Sequence, residues 1–164
     1  MSNLGLELAL KGRGIDLLRA NVGDKYVLEE LLRTGASLGG EQSGHIIFPG
    51  VSLAGDGLMT TLFLLRAMQD SQQSLHQLTD GFVRYPQTLV NVRVSEKLPF
   101  DEVPEIADGA RRVEAQLVDQ GRLLLRYSGT EPLARIMIEG RSQDEIDHLA
   151  EELAATIERS LGKG

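Results

Sequence analysis

The chain of 164 residues has no cysteine and no tryptophan, and only 4% of its residues are aromatic. Without thiols there is no disulfide framework and no thiolate metal site, and nothing calls for an oxidising compartment. Long apolar runs are also missing, and no basic-then-apolar leader opens the chain, so the expectation is a cytoplasmic protein with no membrane partner. Positive charge is scarce: 17 Lys and Arg against 24 Asp and Glu give a net charge of −7, acidic in both halves. Nucleic-acid binding rests on basic side chains neutralising phosphates along a stripe, and no such stripe exists, so nucleic acid is not expected as a partner. What remains is ordinary for a globular protein, 41% apolar and 25% charged, at a length that suits one large domain or two small ones.

Hydrophobic spacing orders the chain. It predicts a short helix over 2–11 ending at Gly12, a strand over 15–22, and a helix capped by Asp24 with the stripe Val27, Leu28, Leu31 and Leu32, closed by Gly35. Strand followed by helix is the grammar of an α/β layer. Residues 54–67 are apolar on nearly every side, which predicts a helix buried in a core, with Asp56 as its cap and Met59 and Met68 as filler. After a short helix over 75–79 the composition changes, and Arg84-Tyr85-Pro86 reads as a linker between units 1–83 and 84–164. The second unit reads as a strand over 89–94, a helix opened by Asp101 and Pro104, two strands over 122–127 and 134–139, and a last helix. That helix begins at a capping box, Ser142 to Glu145, and ends at Gly162. The pattern implies α+β architecture, an antiparallel sheet with helices on one face. His148 and Glu152 on the last helix read as a solvated pair, with no third ligand to make a metal site.

Two stretches carry chemistry. Arg126-Tyr127-Ser128-Gly129-Thr130-Glu131-Pro132-Leu133-Ala134-Arg135 holds a turn between two strands. Arg126 and Arg135 lie near-symmetrically about it, so they are expected side by side, a repulsive arrangement unless an anion lies between them. Ser128 and Thr130 offer hydroxyls, and Gly129 lets an anion approach the backbone. Arg122 adds to the local positive charge. Spacing alone leaves an anion cradle and a plain hairpin with solvated arginines equally open. The second stretch, Gly39-Gly40-Glu41-Gln42-Ser43-Gly44-His45, sets a carboxylate, a hydroxyl and an imidazole among three glycines, which suits sugar hydroxyls but also an ordinary polar loop.

Arg-x-Ser-Gly-Thr-Glu-Pro followed by an arginine resembles the phosphate-binding loop of α-D-phosphohexomutases, and Gly-Glu-Gln-Ser-Gly-His resembles the sugar-recognition loop of the same family. By that resemblance the chain is the C-terminal part of such an enzyme. Residues 1–83 would be most of an α/β domain, truncated at its N-terminal side, and 84–164 a small α+β domain likened to the TATA-binding fold. A shared fold does not carry DNA binding with it. Arg126, Ser128, Gly129, Thr130 and Arg135 would bind the substrate phosphate, and Glu41 and Ser43 the sugar, with His45 nearby. The family passes a phosphoryl group from a phosphoserine to a phosphosugar with Mg²⁺ present, and the two motifs together look most like members acting on glucosamine phosphates. Members acting on mannose or glucose phosphates, or a non-catalytic phosphosugar-binding module, are the alternatives. No Ser-His-Asn nucleophile loop and no Asp-x-Asp-x-Arg metal loop occurs in the 164 residues. The resemblance therefore implies no catalytic residue and no metal ligand in this chain, inactivity on its own, and the N-terminal domains of the same protein as partners. An incomplete sheet in the first unit would leave an edge open to a homo-oligomer.

Overall fold

The structure, a computed structural model, describes residues 1–162 and falls into two units, Met1–Val83 and the stretch from Arg84 onward. In the first unit, α1 (Leu4–Lys11) starts where the Asn3 side chain accepts the Gly5 N–H at 3.0 Å. Helix α2 (Asp24–Thr34) is opened by Gly23, not by Asp24. Gly23 has φ 130, a conformation favouring glycine, and Asp24 becomes the first helical residue, where its charge still complements the helix dipole. Gly35, at φ 70, ends the helix by donating to the Leu31 carbonyl. Strands β1 (Gly39–Gly40) and β2 (Ile46–Ile47) form a short antiparallel hairpin. Helix α3 (Gly57–Ser71) is capped by Asp56, whose carboxylate accepts the Met59 N–H, and α4 (Leu75–Leu78) by a reciprocal box between Ser74 and Gln77.

Further expectations for this unit change. Residues 15–22 form no strand, because no described segment pairs with them; Ile15 and Leu18 stay 51% and 62% exposed. Helix α3 is apolar all round yet buries no residue: Leu58, Leu62 and Leu65 are 74%, 60% and 54% exposed. A pair of two-residue strands is too small to cover a fifteen-residue helix. Met59 and Met68 are accordingly half-buried, and Leu32, placed on the α2 stripe by its spacing, is 62% exposed while Leu31 is buried.

The second unit is better covered. Strands β3 (Gln87–Arg93), β4 (Arg122–Tyr127) and β5 (Leu133–Glu139) form an antiparallel sheet in the order β3-β5-β4. Alternation along β5 turns Ala134, Ile136 and Ile138, all fully buried, toward α5 (Pro104–Leu117) and α6 (Gln143–Leu161). Val90 and Val92 of β3 and Leu123, Leu125 and Tyr127 of β4 share that face. The helices answer with stripes at 3.6-residue spacing, Ile106, Val113 and Leu117 against Ile146, Leu149, Leu153 and Ile157. Gly109 lets the two helices approach, since a Cβ there would lie 3.1 Å from Leu153 Cδ1. The helix expected from Asp101 is split: a single 3₁₀ turn, Phe100–Glu102, precedes α5, which begins at Pro104, where the missing N–H costs nothing. Ser142 caps α6 by accepting the Glu145 N–H, and Thr88 of β3 donates to Asp147 of α6. His148 and Glu152 form an exposed pair at 3.4 Å. No helix among the described residues is long and apolar enough to cross a membrane.

Candidate functional site

The arginines of the β4–β5 hairpin meet in register. Arg126 lies directly opposite Arg135, and Tyr127 opposite Ala134. Directly opposed residues share a face. Tyr127 and Ala134 point to the helices, so both guanidinium groups are on the open face. Asn91 of β3 is opposite Arg135 on its other side, making a row Asn91, Arg135, Arg126 across the sheet. Arg126 has no ion pair or hydrogen bond among the described residues. Arg135 donates from Nη2 to Glu131 at 3.0 Å, while its Nε is buried without a partner. A buried donor left unpaired costs about 1–3 kcal/mol, so an acceptor brought to this Nε would be held favourably.

The connecting loop is held by its own backbone. Ser128 N–H donates to the Leu133 carbonyl at 2.8 Å, Leu133 N–H to Glu131, and Glu131 N–H to Ser128 Oγ at 3.3 Å. Ser128, 3% exposed, is therefore a turn-former whose hydroxyl retains its proton for a second partner. The N–H groups of Gly129 and Thr130 and the Thr130 hydroxyl have no partner among the described residues and are exposed. Donors at the loop tip and guanidinium groups at its base make an arrangement that can take an anion's oxygens.

Arg122 does not belong to it. Its Nε reaches Glu139 Oε2 at 2.5 Å, and four residues of strand separate it from Arg126, about 13 Å at ~3.3 Å per residue. Its charge is neutralised locally.

Sequence reasoning missed the segment that braces the loop from behind. Val94 N–H donates to the Pro132 carbonyl at 3.0 Å, Lys97 Nζ to the Ser128 carbonyl at 2.6 Å, and the Tyr127 hydroxyl to the Leu98 carbonyl at 2.6 Å. Phe100 stacks on Tyr127 with ring centroids 4.2 Å apart. These partners lie about thirty residues upstream of the loop, beyond the reach of any local pattern. Burial first, and the Glu96 carboxylate second, push the Tyr127 phenol above its ordinary value. A raised phenol means the unfolded chain ionises first, so stability is complete below the unfolded value of about 10 and falls as pH rises through the folded one. Alkaline unfolding should therefore set in at higher pH in Tyr127→Phe than in wild type, with the phenolate band of Tyr127 titrating late in ultraviolet absorbance.

In the first unit, residues 41–45 close the β1–β2 hairpin. Glu41 N–H donates to the His45 carbonyl, Gly44 N–H to the Glu41 carbonyl, and Gly44 sits at φ 92. The turn gathers three side chains: Ser43 Oγ is 3.0 Å from His45 Nδ1 and 3.4 Å from Glu41 Oε2. Glu41 Oε1 also accepts the Gly23 N–H at 3.1 Å, which fixes the carboxylate at the start of α2. Ser43 and His45 are exposed and Glu41 half-buried, so a rigid acceptor stands beside two adaptable groups. Among the described residues, no three Asp, Glu or His side chains converge on a point that could hold a metal ion. These residues do not fit Mg²⁺.

Residues 1–85 match the family model described as phosphoglucomutase/phosphomannomutase, alpha/beta/alpha domain III, and residues 89–156 match that of the C-terminal domain. A phosphoglucosamine mutase from Desulfovibrio desulfuricans is 49% identical over 161 residues, which is 98% of this chain and 36% of the relative. One from Solibacter usitatus is 50% identical over 163 residues, 99% of this chain and 36% of the relative. The chain thus spans about a third of the length of the curated relatives it matches. Among solved structures, an Aspergillus fumigatus N-acetylphosphoglucosamine mutase superposes with a TM-score of 0.81 at 20% identity, covering 98% of this chain and 37% of that one. Another from that organism, in complex with GlcNAc-6P and magnesium, gives 0.71 at 18%, covering 94% and 36%. At such identities the superposition speaks for the fold, while the sequence matches speak for descent. The chain belongs to the phosphoglucomutase/phosphomannomutase family, matching its α/β/α domain III and its C-terminal domain.

Proposed function

We propose that this chain is the substrate-recognising part of a phosphoglucosamine mutase, the activity for which the bacterial relatives at 49% and 50% identity are named. In this reading Arg126, Arg135, Ser128, Gly129 and Thr130 hold the phosphate that is not reacting, and Glu41, Ser43 and His45 bind hydroxyl groups of the sugar. The whole protein interconverts glucosamine 6-phosphate and glucosamine 1-phosphate. A phosphoserine donates its phosphoryl group to the free hydroxyl of the sugar phosphate, the bisphosphate turns over, and the other phosphoryl group returns to the serine. The serine, the Mg²⁺ and its ligands belong to the other domains of the same protein, and these 164 residues alone turn over no substrate. Phosphoryl transfer depends on position and charge neutralisation more than on covalent help from the protein. A cradle made of hydrogen bonds and charge grips one phosphate and releases it again, which a reorienting intermediate needs.

The single observation carrying this reading is the pairing of Arg126 with Arg135 across the hairpin, one unpaired and the other with a buried, unsatisfied Nε, beneath two free amides. A titration of the ¹⁵N-labelled chain with glucosamine 6-phosphate tests it. The amides of Gly129 and Thr130 and the Nε resonances of the two arginines should shift together and saturate, and glucosamine without the phosphate should leave them still. A loop that stays unperturbed at tens of millimolar ligand would overturn the reading.

A further inference from the structure

We propose that Lys97 is a positioning residue of the phosphate loop, fixing the peptide between Ser128 and Gly129 so that the Gly129 N–H faces the anion. The inference rests on the phosphate-binding reading of the loop and extends it to a residue outside the motif. Lys97 Nζ donates to the Ser128 carbonyl at 2.6 Å, a charge-assisted bond. That carbonyl and the Gly129 N–H belong to one planar trans peptide, so they point in opposite directions. Holding the oxygen on the Lys97 side turns the N–H to the other side.

The constraint matters because little else selects this orientation. A Cβ built on Gly129 would meet nothing within 4 Å, and glycine tolerates either sign of φ, so Gly129 itself imposes no orientation on the peptide. Turned over, it would present a carbonyl oxygen to a phosphate oxygen. Lys97 also polarises the peptide, which strengthens the N–H as a donor. Its own position is secured by flanking hydrogen bonds, Val94 N–H to the Pro132 carbonyl and the Tyr127 hydroxyl to the Leu98 carbonyl. The neighbouring Glu96 carries the opposite charge, close enough to act on Tyr127.

The test titrates the full chain with glucosamine 6-phosphate in four forms: wild type, Lys97→Met, Lys97→Arg, and Arg126→Ala with Arg135→Ala. Lys97→Met should weaken binding about ten-fold, the scale of one lost charge-assisted bond. Its Gly129 amide resonance should move in the ligand-free spectrum while the β4 and β5 amides keep their positions. Lys97→Arg, which restores a charged donor, should recover most of both. If the double arginine variant loses binding while Lys97→Met binds as wild type, the role of Lys97 is refuted and the cradle stands. If the double variant binds unchanged, the cradle reading falls and this inference with it. Should Lys97→Met fail to fold, the comparison passes to Lys97→Ala, which likewise has no donor, and for which wild-type affinity and an unmoved Gly129 resonance would again refute the proposal.

Discussion

Replacing both Arg126 and Arg135 by alanine is expected to weaken binding of glucosamine 6-phosphate by roughly 10²- to 10⁴-fold, since each hydrogen bond to a charged partner contributes about 1.5–3 kcal/mol. Stability should move the other way or not at all. In the free protein the two guanidinium groups face each other across one rung of the sheet, and like charges so opposed are destabilising. Arg126 has no partner to lose, so Arg126→Ala should leave the melting temperature unchanged or slightly raised while binding falls by about ten- to a hundred-fold. Arg135→Ala also releases Glu131 and removes the unsatisfied Nε. Calorimetry and thermal melts on the same samples separate the two effects. Binding lost together with stability would mark the arginines as structural, and binding retained would remove the cradle altogether.

How much of this was legible follows from the range of each signal. The hairpin could be read because β4, the loop and β5 are contiguous, and symmetry about a short turn fixes which residues oppose one another. The stripes of α5 and α6 were equally local. Periodicity records that a face is apolar, whereas burial requires a second surface, and that is why α3 and residues 15–22 came out exposed where their composition called for a core. Long-range polar partners left no trace either. Lys97 reaches its carbonyl across 31 residues, and nothing in its neighbourhood distinguishes it from any surface lysine. Arg122 was grouped with the cradle because it is basic and close in sequence, but strand rise carries it to the far end of β4, where register sets it against Glu139.

That pair carries the largest expected effect on stability. Glu139 is fully buried on the central strand, and Arg122, with a side chain 18% exposed, is its opposite number on β4. Removing the cation takes the Arg122 charge away from a carboxylate that water cannot reach, and breaking a buried pair from one side costs about 3–5 kcal/mol. Arg122→Met should therefore lower the midpoint of urea unfolding sharply, keeping the arginine's apolar stem and deleting its charge. Methionine at 122 together with leucine at 139 should recover most of the loss, because the dehydration of both charges is then avoided and the volume is largely kept. If the single and double variants are equally unstable, the cost lies in packing and not in the lost charge. A near-neutral single variant would mean that Glu139 finds other donors in the fold. Either result would still set Arg122 apart from Arg126, four residues along the same strand, whose charge is left unpaired where Arg122's is consumed.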